Sequence, residues 1–220
     1  MEERSPREKI VLVAGAVFFT LTYLVLFKSP LAADMKIQEL VFSLRQDWLT
    51  AILVPFSFTG NWEIIVPICL VLLLCKKTRH TFGDPLSVSA LLSTGVYLLT
   101  KSIIRRPRPD MLVQLTYASG FSFPSGHTQT SFVFAFMLVF LLNKYRKDDP
   151  LLKLWTFLIE LWTFLIAFSR MYLGVHWPTD IIGGWCIALI LICILKPILI
   201  DSDALKESKL VKKVFSLGKK

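Results

Sequence analysis

The sequence is poor in the residues that usually announce a metal site or a cross-linked fold. It has 4 cysteines, Cys69, Cys75, Cys186 and Cys193. All lie inside apolar runs and none stands at metal-ligand spacing, so they read as small buried hydrophobes, not as a disulfide framework or a metal cage. Histidine is scarcer still, with 3 residues. No long-period repeat is present. The one internal echo, LWTFLI at a seven-residue step in LWTFLIELWTFLIA, fits within a single helix, as a packing or lipid-facing stripe or as a groove for a long chain. No pair of interrupted apolar segments recurs in matching halves, which argues against a transporter or channel drawing anions to a basic mouth. Acidic residues are outnumbered 16 to 25 by lysine and arginine, a net charge of +9. Most of these bases flank apolar runs, so their expected partners are lipid head groups, with no nucleic acid.

Apolar side chains are what the chain has in abundance. Hydrophobic residues make up 54% of it and the mean hydropathy is +0.59, values of a protein whose solvent is a bilayer. Nearly uncharged runs at 10–27, 48–75, 86–100, 128–143, 154–169 and 181–195 predict an all-α, polytopic bundle of six transmembrane helices. This membrane domain occupies residues 1–200, and 201–220 form a basic cytoplasmic tail. The first run follows MEERSPREK and exceeds the usual signal core of about 7 to 15 residues, so it reads as an uncleaved anchor despite the weak cleavage-like pair Ala32 and Ala33. The tail segment KESKLVKKVFSLGKK interleaves lysines with apolar residues. It fits equally a helix lying on an anionic membrane face and a solvated tail.

Basic residues also set the expected orientation. Arg4, Arg7 and Lys9 precede the first run, Lys76, Lys77 and Arg79 follow the second, Lys144, Arg146 and Lys147 follow the fourth, and the tail follows the sixth. The positive-inside rule makes these segments and both termini cytoplasmic. The segment KSIIRRPRPD then breaks the rule, because Lys101, Arg105, Arg106 and Arg108 fall at the outer end of the third run. Either they snorkel to outer-leaflet phosphates or an anion holds them there.

Counting crossings brings three segments to that face. No spanning run separates Arg108 from Pro124, and two crossings separate His127 from Arg170, so Lys101, Arg108, Ser125, His127, Arg170, His176 and Asp180 share the outer mouth. Pro107 and Pro109 end the third helix just after Lys101. In PSGHT, Pro124 suits a helix start, Gly126 admits a ligand close to the backbone, and the first-turn N–H groups with Ser125 face an anion. With Lys101, Arg108 and Arg170 these groups suit a phosphoryl group. In HWPTD, Asp180 falls four residues after His176, where a carboxylate fixes the imidazole tautomer that leaves the other nitrogen free to attack. His176 is therefore the expected neutral nucleophile and His127 the expected proton donor to the leaving group. His80, in an inner loop without such neighbours, has no expected role.

These residues form K-x6-R-P (Lys101, Arg108, Pro109), P-S-G-H (Pro124 to His127) and S-R-x5-H-x3-D (Ser169, Arg170, His176, Asp180). The set resembles the type 2 phosphatidic acid phosphatase superfamily of integral-membrane lipid phosphatases. The resemblance implies an extracytoplasmic active site and a phosphohistidine on His176. It also implies leaving-group protonation by His127, phosphate binding by Lys101, Arg108, Ser125, Gly126 and Arg170, and no metal or other cofactor. Among bacterial members of this size it implies hydrolysis of a lipid phosphate or pyrophosphate in the outer leaflet. Undecaprenyl diphosphate comes first, in cell-wall precursor recycling, with phosphatidylglycerophosphate or phosphatidic acid as alternatives. Vanadium haloperoxidases resemble the same phosphate site but are soluble, which the six apolar runs oppose. Two acids stand outside the motifs. Glu160, in mid-run, reads as a protonated or hydrogen-bonded interior group before a catalytic one. Glu63 reaches the outer site only if Pro55 and Gly60 break the second run, where it would pair with an arginine.

Overall fold

A computed structural model describes residues 4–201. The tail read as a helix or a solvated segment lies outside them, apart from Asp201. The described chain is helical, without strands. In order the helices are α1 (Pro6–Lys28), α2 (Ala32–Ser43), α3 (Asp47–Phe58), α4 (Trp62–Leu74), α5 (Asp84–Ile104), α6 (Gly126–Tyr145), α7 (Leu152–Tyr172) and α8 (Pro178–Lys196). A π-helical turn, Arg79–Gly83, leads into α5, and another, Pro197–Asp201, follows α8.

Among the described residues, five helices are long and apolar enough to cross a membrane: α1, α5 with its π-turn, α6, α7 and α8 with its π-turn. The sixth expected span, 48–75, is instead the pair α3 and α4, bent by 43° at Thr59–Asn61. The connection between the first two runs folds into α2. Its buried residues Asp34, Gln38 and Val41 recur at three- and four-residue steps, one face of a helix.

Helix α6 is the centre of the bundle. Its Val133, Phe134, Met137 and Leu141 pack with Leu86 of α5 and with Ala188, Ile192 and Leu195 of α8 in one buried cluster. Helix α1 is more hydrophobic than α6, yet buries only Ala14 and Val25. Hydrocarbon is as good a partner as protein for its side chains, whereas α6 carries Thr128, Gln129, Thr130 and Ser131 in its first two turns. Those polar groups need partners: Gln129 Nε2 donates to the Ser93 carbonyl at 2.9 Å, and Thr130 Oγ1 lies 3.3 Å from Ser93 Oγ.

At one end of the bundle, Tyr172 closes α7 against the start of α3. Its hydroxyl accepts from Gln46 N at 2.9 Å and donates to Gln46 O at 3.1 Å, while Arg45 donates to the carbonyls of Tyr172 and Val113. Helix α3 therefore runs inward along α7, and its break reaches Trp162 and Ile166, where Trp162 Nε1 donates to Thr59 Oγ1 at 2.8 Å. The exposed faces of Trp155, Phe157 and Phe164 make the LWTFLI echo mainly an outer stripe of the bundle.

Candidate active site

Three separate elements deliver the cations. Helix α5 ends at Ile104 because Arg105 turns into the left-handed region, φ 52°, and Pro107 and Pro109 cannot continue it. Lys101, in its last turn, donates to Phe121 O at 2.7 Å, which ties the following loop back over the helix end. Arg108 sits in that loop with its guanidinium fixed by three backbone carbonyls: Gly120 at 3.0 Å, Ser119 at 2.9 Å and Val175 at 2.7 Å. Arg170, in the last turn of α7 and 6% exposed, donates from Nη1 to Ser57 Oγ of α3 at 2.8 Å. Its Nε–H is buried without a protein partner among the described residues, a donor left for an anion.

His176 lies between Arg108 and Asp180. Its Nδ1 is 3.2 Å from Asp180 Oδ2 and its Nε2 is 3.2 Å from Arg108 Nη1. A guanidinium only donates, so Nε2 must present its lone pair and Nδ1 carries the hydrogen that Asp180 accepts. Burial, then the charges of Arg108, Lys101 and Arg170, pushes the His176 pKa well below its ordinary 6.5. The ring is neutral at neutral pH, with its free electron pair aimed at the cations.

Asp180 itself is fully buried in the first turn of α8. Oδ2 also accepts from Trp177 N at 2.9 Å, and Oδ1 accepts from Arg106 Nη1 at 2.6 Å. Arg106 was expected among the anion-attracting arginines. It is instead 2% exposed and reaches away from the cations, donating to Asp34 Oδ2 of α2 at 2.5 Å and to Thr179 Oγ1 at 2.7 Å.

The PSGHT segment meets the same point from α6. The helix begins at Gly126, two residues after the expected start at Pro124, with Ser125 as its N-cap. Ser125 Oγ accepts from Thr128 Oγ1 at 3.0 Å and from Thr128 N at 3.4 Å, and Ser125 N donates to Asp180 O at 3.0 Å. Ser125 is fully buried and, unlike its neighbours Gly126 and His127, does not line the cavity described next. A Cβ on Gly126 would lie 2.9 Å from the Tyr97 ring, so only glycine lets α5 and α6 close at this level. His127 Nε2 donates to Asn61 Oδ1 at the α3–α4 break.

These side chains open onto one cavity of about 840 Å³. Its polar end is lined by Lys101, Arg108, His127, Arg170 and His176, together with Asn61 and Tyr97. From there it continues as a groove between α4 and α5, lined by Ile65, Cys69 and Leu73 on one side and by Ser87, Ala90, Leu91, Thr94 and Leu98 on the other. Ser87 to Lys101 is about 21 Å of helix at 1.5 Å per residue. A polar pocket thus leads into an apolar trough more than half as long as the ~30 Å hydrocarbon core of a bilayer.

A family model described as the PAP2 superfamily matches residues 85–202, which hold all three motif segments. The chain belongs to the PAP2 superfamily. As a PAP2 protein it is a lipid phosphatase with membrane-spanning helices. It is 28% identical to phosphatidylglycerophosphatase B of Bacillus subtilis over 168 residues, 75% of this chain and 82% of the relative. It is 29% identical to an undecaprenyl-diphosphatase of Sulfolobus acidocaldarius over 142 residues, 62% of this chain and 64% of the relative. The fold matches the crystal structure of a transmembrane PAP2 phosphatidylglycerolphosphate phosphatase from Bacillus subtilis at a TM-score of 0.76 and 24% identity, covering 90% of this chain and 98% of that one.

The PAP2 motif residues gather as the crossing count expected, but four neighbours escaped the sequence. Asp34, Ser57 and Asn61 precede the matched segment, and each touches a different member of the cluster: Asp34 on Arg106, Ser57 on Arg170, Asn61 on His127. Arg106 lay in plain view as one of several adjacent arginines, with nothing local to single it out. Glu63 is exposed in the first turn of α4 and pairs with no site arginine among the described residues, so the break forms without bringing it in. Glu160 is half-buried in mid-α7 and does not line the cavity. His80 pairs with Asp84 at 2.7 Å, also off the cavity.

Proposed function

We propose that this protein removes the terminal phosphate of a lipid pyrophosphate in the outer leaflet through a phosphohistidine on His176, with undecaprenyl diphosphate as the substrate. The observation that carries the reading is the single cavity joining His176 and three cations to an apolar groove. A lipid phosphate fills both parts at once, its phosphoryl oxygens on Lys101, Arg108 and Arg170 and its chain between α4 and α5.

Nε2 of His176 attacks phosphorus as the bond to the leaving oxygen breaks. The new P–N bond makes the ring cationic, and Asp180 holds that charge through Nδ1–H. His127 enters the reaction as the imidazolium, passes its Nε2 proton to the leaving oxygen and, now neutral, takes one from the water that cleaves the P–N bond and frees inorganic phosphate. His127 gives up its contact with Asn61 to do so. No step calls for a metal. Orientation follows from the bases at 4–9, 76–79 and 144–147, which the positive-inside rule puts in the cytoplasm and which leave the cavity mouth outside.

The three cations suit the higher charge of a diphosphate. Phosphatidylglycerophosphate is a second reading, favoured by the longer match to the Bacillus subtilis relative of that name. The test is phosphate release by purified protein in detergent, with chelator, from undecaprenyl diphosphate, phosphatidylglycerophosphate and phosphatidic acid in parallel. Undecaprenyl diphosphate should turn over fastest, His176→Ala should release none, and orthovanadate should inhibit. Activity surviving in His176→Ala would overturn the nucleophile, and loss on chelation would overturn the metal-free chemistry. Ala90→Phe, filling the groove, should raise KM for the long-chain lipid and spare a short soluble phosphomonoester; equal effects on both would empty the groove of substrate.

A further inference from the structure

A buried charge network behind the nucleophile has no place in the phosphate chemistry. Arg106, Asp34 and Asp180 have side chains with no exposure at all. The Arg106 guanidinium spans the two carboxylates, 2.5 Å from Asp34 Oδ2 and 2.6 Å from Asp180 Oδ1. Asp34 in turn accepts from Thr179 N at 3.0 Å and Thr179 Oγ1 at 2.9 Å, so α2 grips the first turn of α8 on either side of the guanidinium. Ser29 Oγ completes the set, accepting from Arg106 Nε at 2.9 Å. Arg106 does not line the cavity and has no route to the phosphoryl group.

Asp180 has two tasks that a lone buried carboxylate cannot perform together. It must stay charged to balance a cationic phosphohistidine, and it must point Oδ2 at Nδ1. Arg106 supplies the counter-charge and occupies Oδ1, which leaves Oδ2 for His176 and Trp177 N. Charge arithmetic favours the same conclusion. Two carboxylates and one guanidinium leave one negative charge, which the phosphohistidine cation neutralises.

We propose that Arg106, anchored by Asp34, is a positioning residue of the reaction that acts on His176 only through Asp180. This rests on His176 being the nucleophile, so His176→Ala runs beside every variant.

The experiment is a double-mutant cycle read as single-turnover phosphate release and as steady-state kcat and KM, with folding followed by size exclusion in detergent. Asp180→Asn should lower kcat by about 10³- to 10⁴-fold, as a mis-set imidazole does in acyl-transfer triads. Arg106→Gln should lower kcat by about 10- to 100-fold, with KM within about 2-fold of the wild type, and Arg106→Lys should fall between the two. In the Asp180→Asn background, Arg106→Gln should cost less than about 3-fold more. A full repeat of the single-mutant loss in that background, or a KM effect as large as the kcat effect, overturns the proposal. If Arg106→Gln does not fold, Asp34→Asn runs the same cycle, since it removes one charge and keeps an acceptor for Thr179 N. Activity in His176→Ala would sink the nucleophile assignment instead, so the two failures are distinct.

Discussion

Replacing Arg108 with lysine keeps the charge and removes the fork, which makes it the sharpest test of how the cation cluster is built. The guanidinium reaches four acceptors: the Gly120, Ser119 and Val175 carbonyls and His176 Nε2. An ammonium has three donors on one atom and cannot span carbonyls contributed by two different loops, so at least two contacts go. A hydrogen bond to a charged group contributes about 1.5–3 kcal/mol, and water entering the open cavity returns part of it. A net loss of about 2–4 kcal/mol corresponds to about 30- to 1,000-fold in kcat/KM. Because the fork ties the Ser119–Gly120 backbone to Val175 beside the cavity, the proposed phosphate role predicts that KM and the orthovanadate inhibition constant both rise. The assay is phosphate release against lipid concentration in mixed micelles. Kinetics within about 3-fold of the wild type would mean that charge alone matters at this position, and the preorganised fork would be refuted.

Three other tests follow from the geometry. Gly126→Ala drives a Cβ to 2.9 Å from the Tyr97 ring and should lower stability by about 1–3 kcal/mol, seen as a lower thermal midpoint in detergent, with Tyr97→Leu in the same chain restoring most of it. The His176 pKa, lowered by burial and then by Arg108, Lys101 and Arg170, puts the acidic limb of kcat/KM below pH 6.5, and Lys101→Gln should move that limb upward by removing one repelling charge. The same depression has a stability consequence. The unfolded chain takes up the His176 proton first, so this contribution is complete above about pH 6.5 and is lost below it at about 1.4 kcal/mol per pH unit until the folded form also protonates. Denaturation midpoints in detergent between pH 7 and pH 5 check the sign, and a midpoint that rises on acidification would contradict it.

Most of what places the motif residues was legible in the chain. Apolar runs fix which segments cross, and the number of crossings between Lys101, His127 and His176 puts them on one face whatever the helices do in detail. The proline pair after Lys101 and the four-residue step from His176 to Asp180 are local chemistry, and local chemistry is what a sequence records directly. The bend of the second run was foreshadowed by Pro55 and Gly60, though its use was not. It brings Asn61 to His127 and leaves Glu63 outside.

Tertiary structure decided the rest, for two physical reasons. The first is that lipid and protein interior are equally apolar. Only the polar residues in the first turns of α6 set it apart from the more apolar α1, and nothing in the chain foretells that α4 and α5 leave a groove between them. The second is that a charge in a dry interior is defined by its partner. Arg106 and Arg108 differ by two positions and share flanking prolines, yet one turns inward to two carboxylates and the other faces the cavity. Only the arrival of Asp34 from α2, seventy-two residues away in sequence, separates them. The sequence by itself determined which chemical groups share one end of the bundle, because motif spacing and crossing parity are properties of the chain. Which of those groups lines the cavity and which lies behind His176 was settled by helix packing alone.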